Sequence, residues 1–184
     1  PTRRSSDLGS RSGCPAMSSA RPDGYTVGQI PISVTRFSQL GSVQIDPLKD
    51  LTYLARTSGQ TFGIAVPADS RFKTLKDMVE YAKTHPGELT YAHAGIGGAT
   101  HVGMEEFAFA AGIQLNGIAY KGGAAALNDT LGGQVDMMFD NIPGPLGLMR
   151  SGKVRGFAVT SRERHPAVPE IPTMAEYLPG FEIT

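Results

Sequence analysis

The chain has 184 residues, and 17 Lys and Arg balance 17 Asp and Glu, for a formal net charge of zero. At 40% hydrophobic and 18% charged, it has the composition of a chain that buries a core, which excludes a disordered polyelectrolyte. The balance leaves no basic patch for nucleic acid or a membrane surface. No apolar run is long enough to span a membrane, and the one cysteine, Cys14, excludes an internal disulfide.

Pro1 to Leu8 holds two arginines with no apolar segment behind it, so it does not read as an intact signal peptide. The first eight residues are read as non-native, and residues 1–20 as a non-native or poorly ordered leader. Phe181 to Thr184 reads as a strand cut off in mid-course. The expectation is a fragment truncated at both ends.

Arg21 to Gly24 is a turn signal. Tyr25 to Ile32 is compatible with a strand, Ser33 to Leu40 is ambiguous, and Asp46 to Asp50 is a turn or a short helical start. Leu51 to Arg56 and Thr61 to Pro67 are both β-like, with Gly59 and Gly63 marking an irregular pairing. Phe72 to Thr84 is the clearest helix. Leu75, Met78, Val79 and Ala82 recur at helical spacing, Thr74 is the N-cap, and His85-Pro86-Gly87 ends it.

From Leu89 the pattern alternates. Strands are predicted at 89–93, 117–120, 134–139 and 153–161, with helices at 100–111, 123–131 and 143–151 between them. A helical turn follows at 173–178. This βαβαβαβ order implies a parallel sheet with right-handed crossovers. In such sheets ligands bind at the carboxyl ends of the strands. Two of those ends run directly into glycines, at Ala94-Gly95-Ile96-Gly97-Gly98 and at Lys121-Gly122-Gly123. A helix starting there offers free N–H groups and a partial positive charge, which suits an anion.

The residues leave several readings of these turns open. As a dinucleotide turn, Gly95 and Gly97 fit, but the third glycine position falls at Thr100. Asn116 and Tyr120 stand where an acidic ribose ligand is needed. No Gly-Lys-Ser/Thr triplet makes a phosphate loop. The glycines could simply make a tight turn, or their N–H groups and Thr100 Oγ1 could hold a carboxylate. His93 and His101 flank the turn without a third metal ligand at a recognised spacing. Lys121 is a solvated cation or a contributor of positive potential, with nothing to mark it as a catalytic base. Asp140 and Asn141 end an apolar strand, where they either meet a ligand or cap the next helix. No nucleophile elbow and no paired carboxylates point to catalysis.

Three segments in order, TYAHAGIGGATHVGMEEFAFAAGI, IAYKGGAAALNDTLGGQVDMMFDNIPGPLGLMRSGKVRGFAVTS and RHPAVPEIPTMAEYLPGFE, together with RPDGYT and DPLKDLTYLAR upstream, resemble the substrate-binding proteins of tripartite tricarboxylate transporters, the Bug-type solute receptors. The resemblance covers Arg21 to Thr184. It implies an α/β fold like the type II periplasmic binding proteins, mostly the second lobe with a parallel sheet flanked by helices, plus part of the first lobe. The division it implies is 21–66 for partial first lobe and crossing strands, 67–161 for the second lobe and 162–184 for the return to the first. It also implies a periplasmic monomer, its signal peptide missing from this stretch, that binds a small di- or tricarboxylate or aromatic acid and passes it to a membrane permease. It implies no catalysis, no cofactor, no metal and no nucleic acid.

The ligand residues it implies are Ala94, Gly95, Gly97, Gly98, Thr100 and His101 on the first turn, Tyr120, Gly122, Gly123 and Ala124 on the second, and Asp140 with Asn141 at the rim. Gly98 stands where relatives often carry a hydroxyl. The Pro-Phe-x-x-Gly-Gly loop of the first lobe has no match before Arg21, so weak or no binding is expected of this chain alone. A nucleotide-using α/β enzyme and the ligand-sensing domain of a transcriptional regulator remain the rival readings.

Overall fold

The computed structural model describes residues 17–28, 30, 33–39, 41, 44–55 and 59–183. The chain forms two compact units, 1–57 and 58–184. Cys14, most of the leader and Thr184 lie outside the described residues.

In the first unit the ambiguous stretch is a helix, α1 (Ser33–Gln39). Val34 and Ile45 are buried, with Ile30 and Leu51 against them. Asp46 starts the expected turn: its carbonyl accepts from the N–H groups of Lys49 and Asp50 at 3.0 and 2.8 Å. Among the described residues, neither of two expected strands forms here. Residues 51–55 are irregular, and only an isolated bridge at Thr26 interrupts the coil in the described part of 25–32. Both stretches are β-branched and aromatic, but Tyr25, Tyr53 and Leu54 are exposed and only Ile30 and Leu51 are seen to pack inward, too small a face to stabilise a strand.

The second unit holds β1 (Phe62–Pro67), α2 (Leu75–Thr84), β2 (Thr90–His93), α3 (Ala99–Ala111), β3 (Asn116–Ala119), α4 (Gly123–Leu131), β4 (Met137–Asn141), α5 (Leu146–Arg150) and β5 (Val154–Val159), then a 3-10 turn at Met174–Glu176. The five strands form one sheet in the order β3-β2-β4-β1-β5. It is mixed rather than parallel. Strands β2, β3 and β4 pair in parallel, while β1 pairs antiparallel with both β4 and β5. The four strands of the βαβ series therefore point one way, and β1 is wedged against them. The alternation constrains only strands joined by a helical crossover, and β1 precedes the series. Its six residues are all buried, as a strand covered on both faces requires. The pairing of β1 with β5 is irregular between Ile64 and Ala65, close to Gly63.

Helices cover both faces. Phe62, Ile64 and Val66 of β1, Tyr91 of β2, and Met137 and Phe139 of β4 pack against Leu75, Met78, Val79 and Ala82 of α2 and Met104, Phe107, Ala108 and Ala111 of α3. Phe62 and Phe139 stack with ring centroids 5.6 Å apart. On the other face Ala65, Ala92 and Met138 meet Ala126 of α4. Small side chains on this face leave room for α4 to lie close to the sheet.

The carboxyl-terminal segment differs from expectation in two places. The helix expected from Pro143 begins only at Leu146, because Pro143 to Pro145 belong to a turn closed by Gly144 N–H on Asn141 O at 3.0 Å. Residues 181–183 form no strand, although Ile183 N–H donates to Thr160 O at 3.1 Å.

Helix α2 starts as its sequence dictates. Thr74 Oγ1 accepts from Asp77 N–H at 3.1 Å, and Asp77 Oδ2 accepts from Thr74 N–H at 3.0 Å. The reciprocal pair satisfies two otherwise free amides. Thr74→Ala is expected to cost about 1 kcal/mol, read as a melting temperature lower by about 2–4 °C in a calorimetric scan. An unchanged melting temperature would show that the box is dispensable.

Candidate ligand-binding edge

The site residues gather because of strand register. Asp136, just before β4, accepts from Thr90 N–H and Thr90 Oγ1 at 2.9 and 2.8 Å, and its own N–H donates back to Thr90 Oγ1 at 3.0 Å. This sets Tyr91 opposite Met137 and Ala92 opposite Met138. On the other side His93 lies opposite Ala119, and Tyr120 N–H donates to His93 O at 2.9 Å. The ends of β2, β3 and β4 thus share one edge, with β4 reaching further to Asp140 and Asn141.

The first turn, 94–98, is closed by its own flanking side chains. Ala94 N–H donates to Thr100 Oγ1 at 3.0 Å, Gly95 N–H to His93 Nδ1 at 3.3 Å, Gly97 N–H to His101 Nδ1 at 3.3 Å, and Gly98 N–H to Gly95 O at 3.2 Å. Gly95 and Gly97 have φ of +131° and +76°, which is why glycine is needed there. The amides of Gly97 and Gly98 are therefore engaged within the turn. No side chain caps α3 at Gly98, so the open donors are the first helical amides of Ala99, Thr100 and His101.

The second turn is simpler. Gly122 has φ +107° and caps α4 without a side-chain hydrogen bond, leaving the amides of Gly123, Ala124 and Ala125 as open donors. Lys121 is exposed beside it. The phenol of Tyr120 is raised above its ordinary value, first by desolvation and then by Asp129.

Asp140 and Asn141 straddle the end of β4, one toward each face of the sheet. Asp140 Oδ1 accepts from Asn141 N–H at 2.8 Å. Its Oδ2 lies against Gly123 and Gly144, and a β-carbon at Gly123 would overlap it. The carboxylate thus sits over the start of α4. Burial raises its pKa, partly opposed by the hydrogen bond from Asn141. The Oδ1 of Asn141 is buried without a hydrogen-bond partner. Neither side chain caps α5, whose cap position is Pro145.

His93 is 2% exposed, and its ring centroid lies 4.5 Å from that of His101. Burial first, and His101 second, push the His93 pKa below the usual imidazole value. Beneath them Tyr91 OH donates to Glu105 Oε1 at 2.6 Å, and burial first, then Glu105, raises the phenol strongly. Among the described residues no three His, Cys, Asp or Glu side chains converge as metal ligands. Two cavities, of about 290 and 310 Å³, lie elsewhere, one by Lys73, Thr74, Phe157 and Thr173 and one by Ala110, Leu178 and Phe181. Sequence reasoning placed all twelve candidate residues at this edge but missed the pairing of Thr90 with Asp136 and the acceptor role of His93. Neither leaves a spacing signal.

A carboxyl whose folded pKa is raised favours the fold below its unfolded pKa, and that contribution is lost as pH rises through the folded value. Asp140→Asn is therefore expected to raise the melting temperature at pH 7 and to leave it unchanged at pH 3. Equal effects at both pH values would show that Asp140 is not held in a desolvated setting.

The sequence matches the family described as Tripartite tricarboxylate transporter family receptor over residues 6–184, so the similarity reaches upstream of Arg21 into the presumed leader. A protein encoded in the gbd 5′ region of Cupriavidus necator is 38% identical over 160 residues, covering 87% of this chain and 49% of that protein. The solved periplasmic binding protein BugD superposes with a TM-score of 0.82 at 33% identity, over 95% of this chain and 59% of BugD. MatC from Rhodopseudomonas palustris with bound malate gives a TM-score of 0.80 at 27% identity, over 92% of this chain and 59% of MatC. The chain thus spans about half the length of the curated relative. On the extent of the family match and the shared α/β fold of the periplasmic binding proteins, this chain belongs to the tripartite tricarboxylate transporter family of receptors.

Proposed function

We propose that this chain supplies one face of an extracytoplasmic receptor for a small carboxylate, held between two lobes and delivered to a membrane permease. The observation that carries this reading is the pair of uncapped helix starts, α3 at Gly98 and α4 at Gly122, on adjacent ends of β2 and β3. Each presents three main-chain amides with no intrahelical partner. A charge-assisted hydrogen bond of this kind is worth about 1.5–3 kcal/mol, so two or three of them hold a carboxylate without a lysine or arginine. The malate bound to MatC has the carboxylate chemistry that such a surface fits.

In this reading the open donors are Ala99, Thr100 and His101 on one turn and Gly123, Ala124 and Ala125 on the other. The hydroxyl of Thr100 accepts from Ala94 and keeps its own proton to donate. Asn141 Oδ1, buried and unpaired, takes a donor from the ligand or from a water that the ligand orders. Residues 67–161 correspond to the second lobe, and the facing half of the site comes from the rest of the longer protein. The receptor works in the periplasm as a monomer and catalyses nothing. Lobe closure buries the ligand, and the closed form docks on the permease.

Gly122→Ala tests the reading. At φ +107° a β-carbon is strained, so the start of α4 must turn and misdirect its amides. Titration calorimetry of malate on the full-length protein is expected to give binding weakened at least about tenfold, the equivalent of losing one charge-assisted hydrogen bond. Saturable malate binding with the same affinity in the variant would contradict the role given to α4.

A further inference from the structure

We infer that His93 and His101 are positioning residues that hold the 94–98 turn in its ligand-accepting form, each as a neutral imidazole whose Nδ1 accepts a main-chain N–H of that turn, and that protonating either one releases it. The two bonds are Gly95 N–H to His93 Nδ1 and Gly97 N–H to His101 Nδ1, both 3.3 Å. An imidazole that accepts at Nδ1 carries its proton on Nε2, and a second proton turns Nδ1 from acceptor to donor. Each bond then becomes a clash of two donors. The rings lie 4.5 Å apart, so a charge on His101 disfavours a charge on His93.

Around His93 the main chain of Gly95 and the carboxylate of Glu105 favour the charged ring, but burial first and His101 second outweigh them. Glu105 on α3 is the nearby carboxylate, and it is engaged by Tyr91 OH from β2 at 2.6 Å. Asp140 on β4 lies against Gly123 of α4, on the opposite face of the sheet from His93. Lys121, after β3, is exposed. Burial holds His93 in the neutral form to lower pH than an ordinary imidazole. A base whose folded pKa is depressed contributes stability that is present above its unfolded pKa and lost as pH falls through the folded value. The turn is therefore closed at neutral pH and opens on acidification.

The effect on affinity rests on the proposed role of the α3 start, which this turn supports, as part of the ligand surface, whereas the tautomers and the turn itself are readable without ligand. Nitrogen-15 NMR of the 184-residue chain at pH 7.5 is expected to show both imidazoles protonated at Nε2, with the Gly95 and Gly97 amides shifting as each ring titrates. Nδ1-protonated rings, or glycine amides indifferent to the titration, would overturn the inference whatever the ligand proves to be. For the affinity, the probe is malate on the full-length protein at pH 7.5 and 5.0. Wild type is expected to bind about tenfold more weakly at pH 5.0. His101→Asn, whose side-chain oxygen replaces Nδ1 as acceptor, is compared with itself at the two pH values and is expected to lose less affinity on acidification than wild type does, because only His93 then remains to be protonated. That variant meets the same ionisation of malate, so the difference isolates the imidazole. His101→Leu is expected to bind weakly at both. Tighter binding by wild type at pH 5.0, with no such gain in His101→Asn, would mean that an imidazolium pairs with the carboxylate directly, and would overturn the positioning role.

Discussion

Asp136 and Thr90 fix the register on which the candidate site depends. Their three hydrogen bonds tie the beginnings of β2 and β4, and a slip of one residue would turn every side chain of β4 to the other face. Phe139 would leave its stack with Phe62, and Asp140 would leave the start of α4. The antiparallel β1 reinforces the same alignment from the other side of β4, because Phe62 pairs with Asn141 and Phe62 N–H donates to Thr160 Oγ1 at 3.1 Å. The first device acts at a distance from the ligand edge and the second beside it, and together they decide which residues stand on it.

At that edge the main chain divides into donors already used and donors left open. The first turn spends its amides on Thr100, His93, His101 and its own carbonyl. It thereby becomes a stiff support rather than the anion cradle itself. The open amides are one step further along, in the first turns of α3 and α4. Asp140 adds a constraint of its own: a partly desolvated carboxylate beside the α4 start competes with an incoming anion for the same positive end of the helix. A ligand carboxylate near α4 is expected to favour the protonated form of Asp140, which its raised pKa already makes accessible.

Much of this was legible in the sequence where local physics decides. The apolar face of α2 and its Thr74 cap follow from spacing alone, and α4 occupies the predicted 123–131. The glycine turns were legible because positive φ demands glycine. Three features were not. The placement of β1 between β4 and β5 is a long-range pairing with no helical crossover to constrain it. The strands expected at 25–32 and 51–56 had the right residue types, but among the described residues only Ile30 and Leu51 are seen to pack inward. The acceptor role of the two histidines depends on a ring nitrogen meeting a particular amide, which composition cannot encode. The same limit explains why Gly97 and Gly98, singled out as donors, prove to be engaged within their own turn.

The most direct test of the central claim is a crystal structure of the full-length protein with malate. The account predicts a malate carboxylate oxygen at about 2.7–3.0 Å from main-chain nitrogens among Ala99–His101 or Gly123–Ala125, with the 94–98 turn unchanged. A carboxylate held by lysine or arginine side chains, or seated in the cavity beside Lys73 and Thr173, would contradict it.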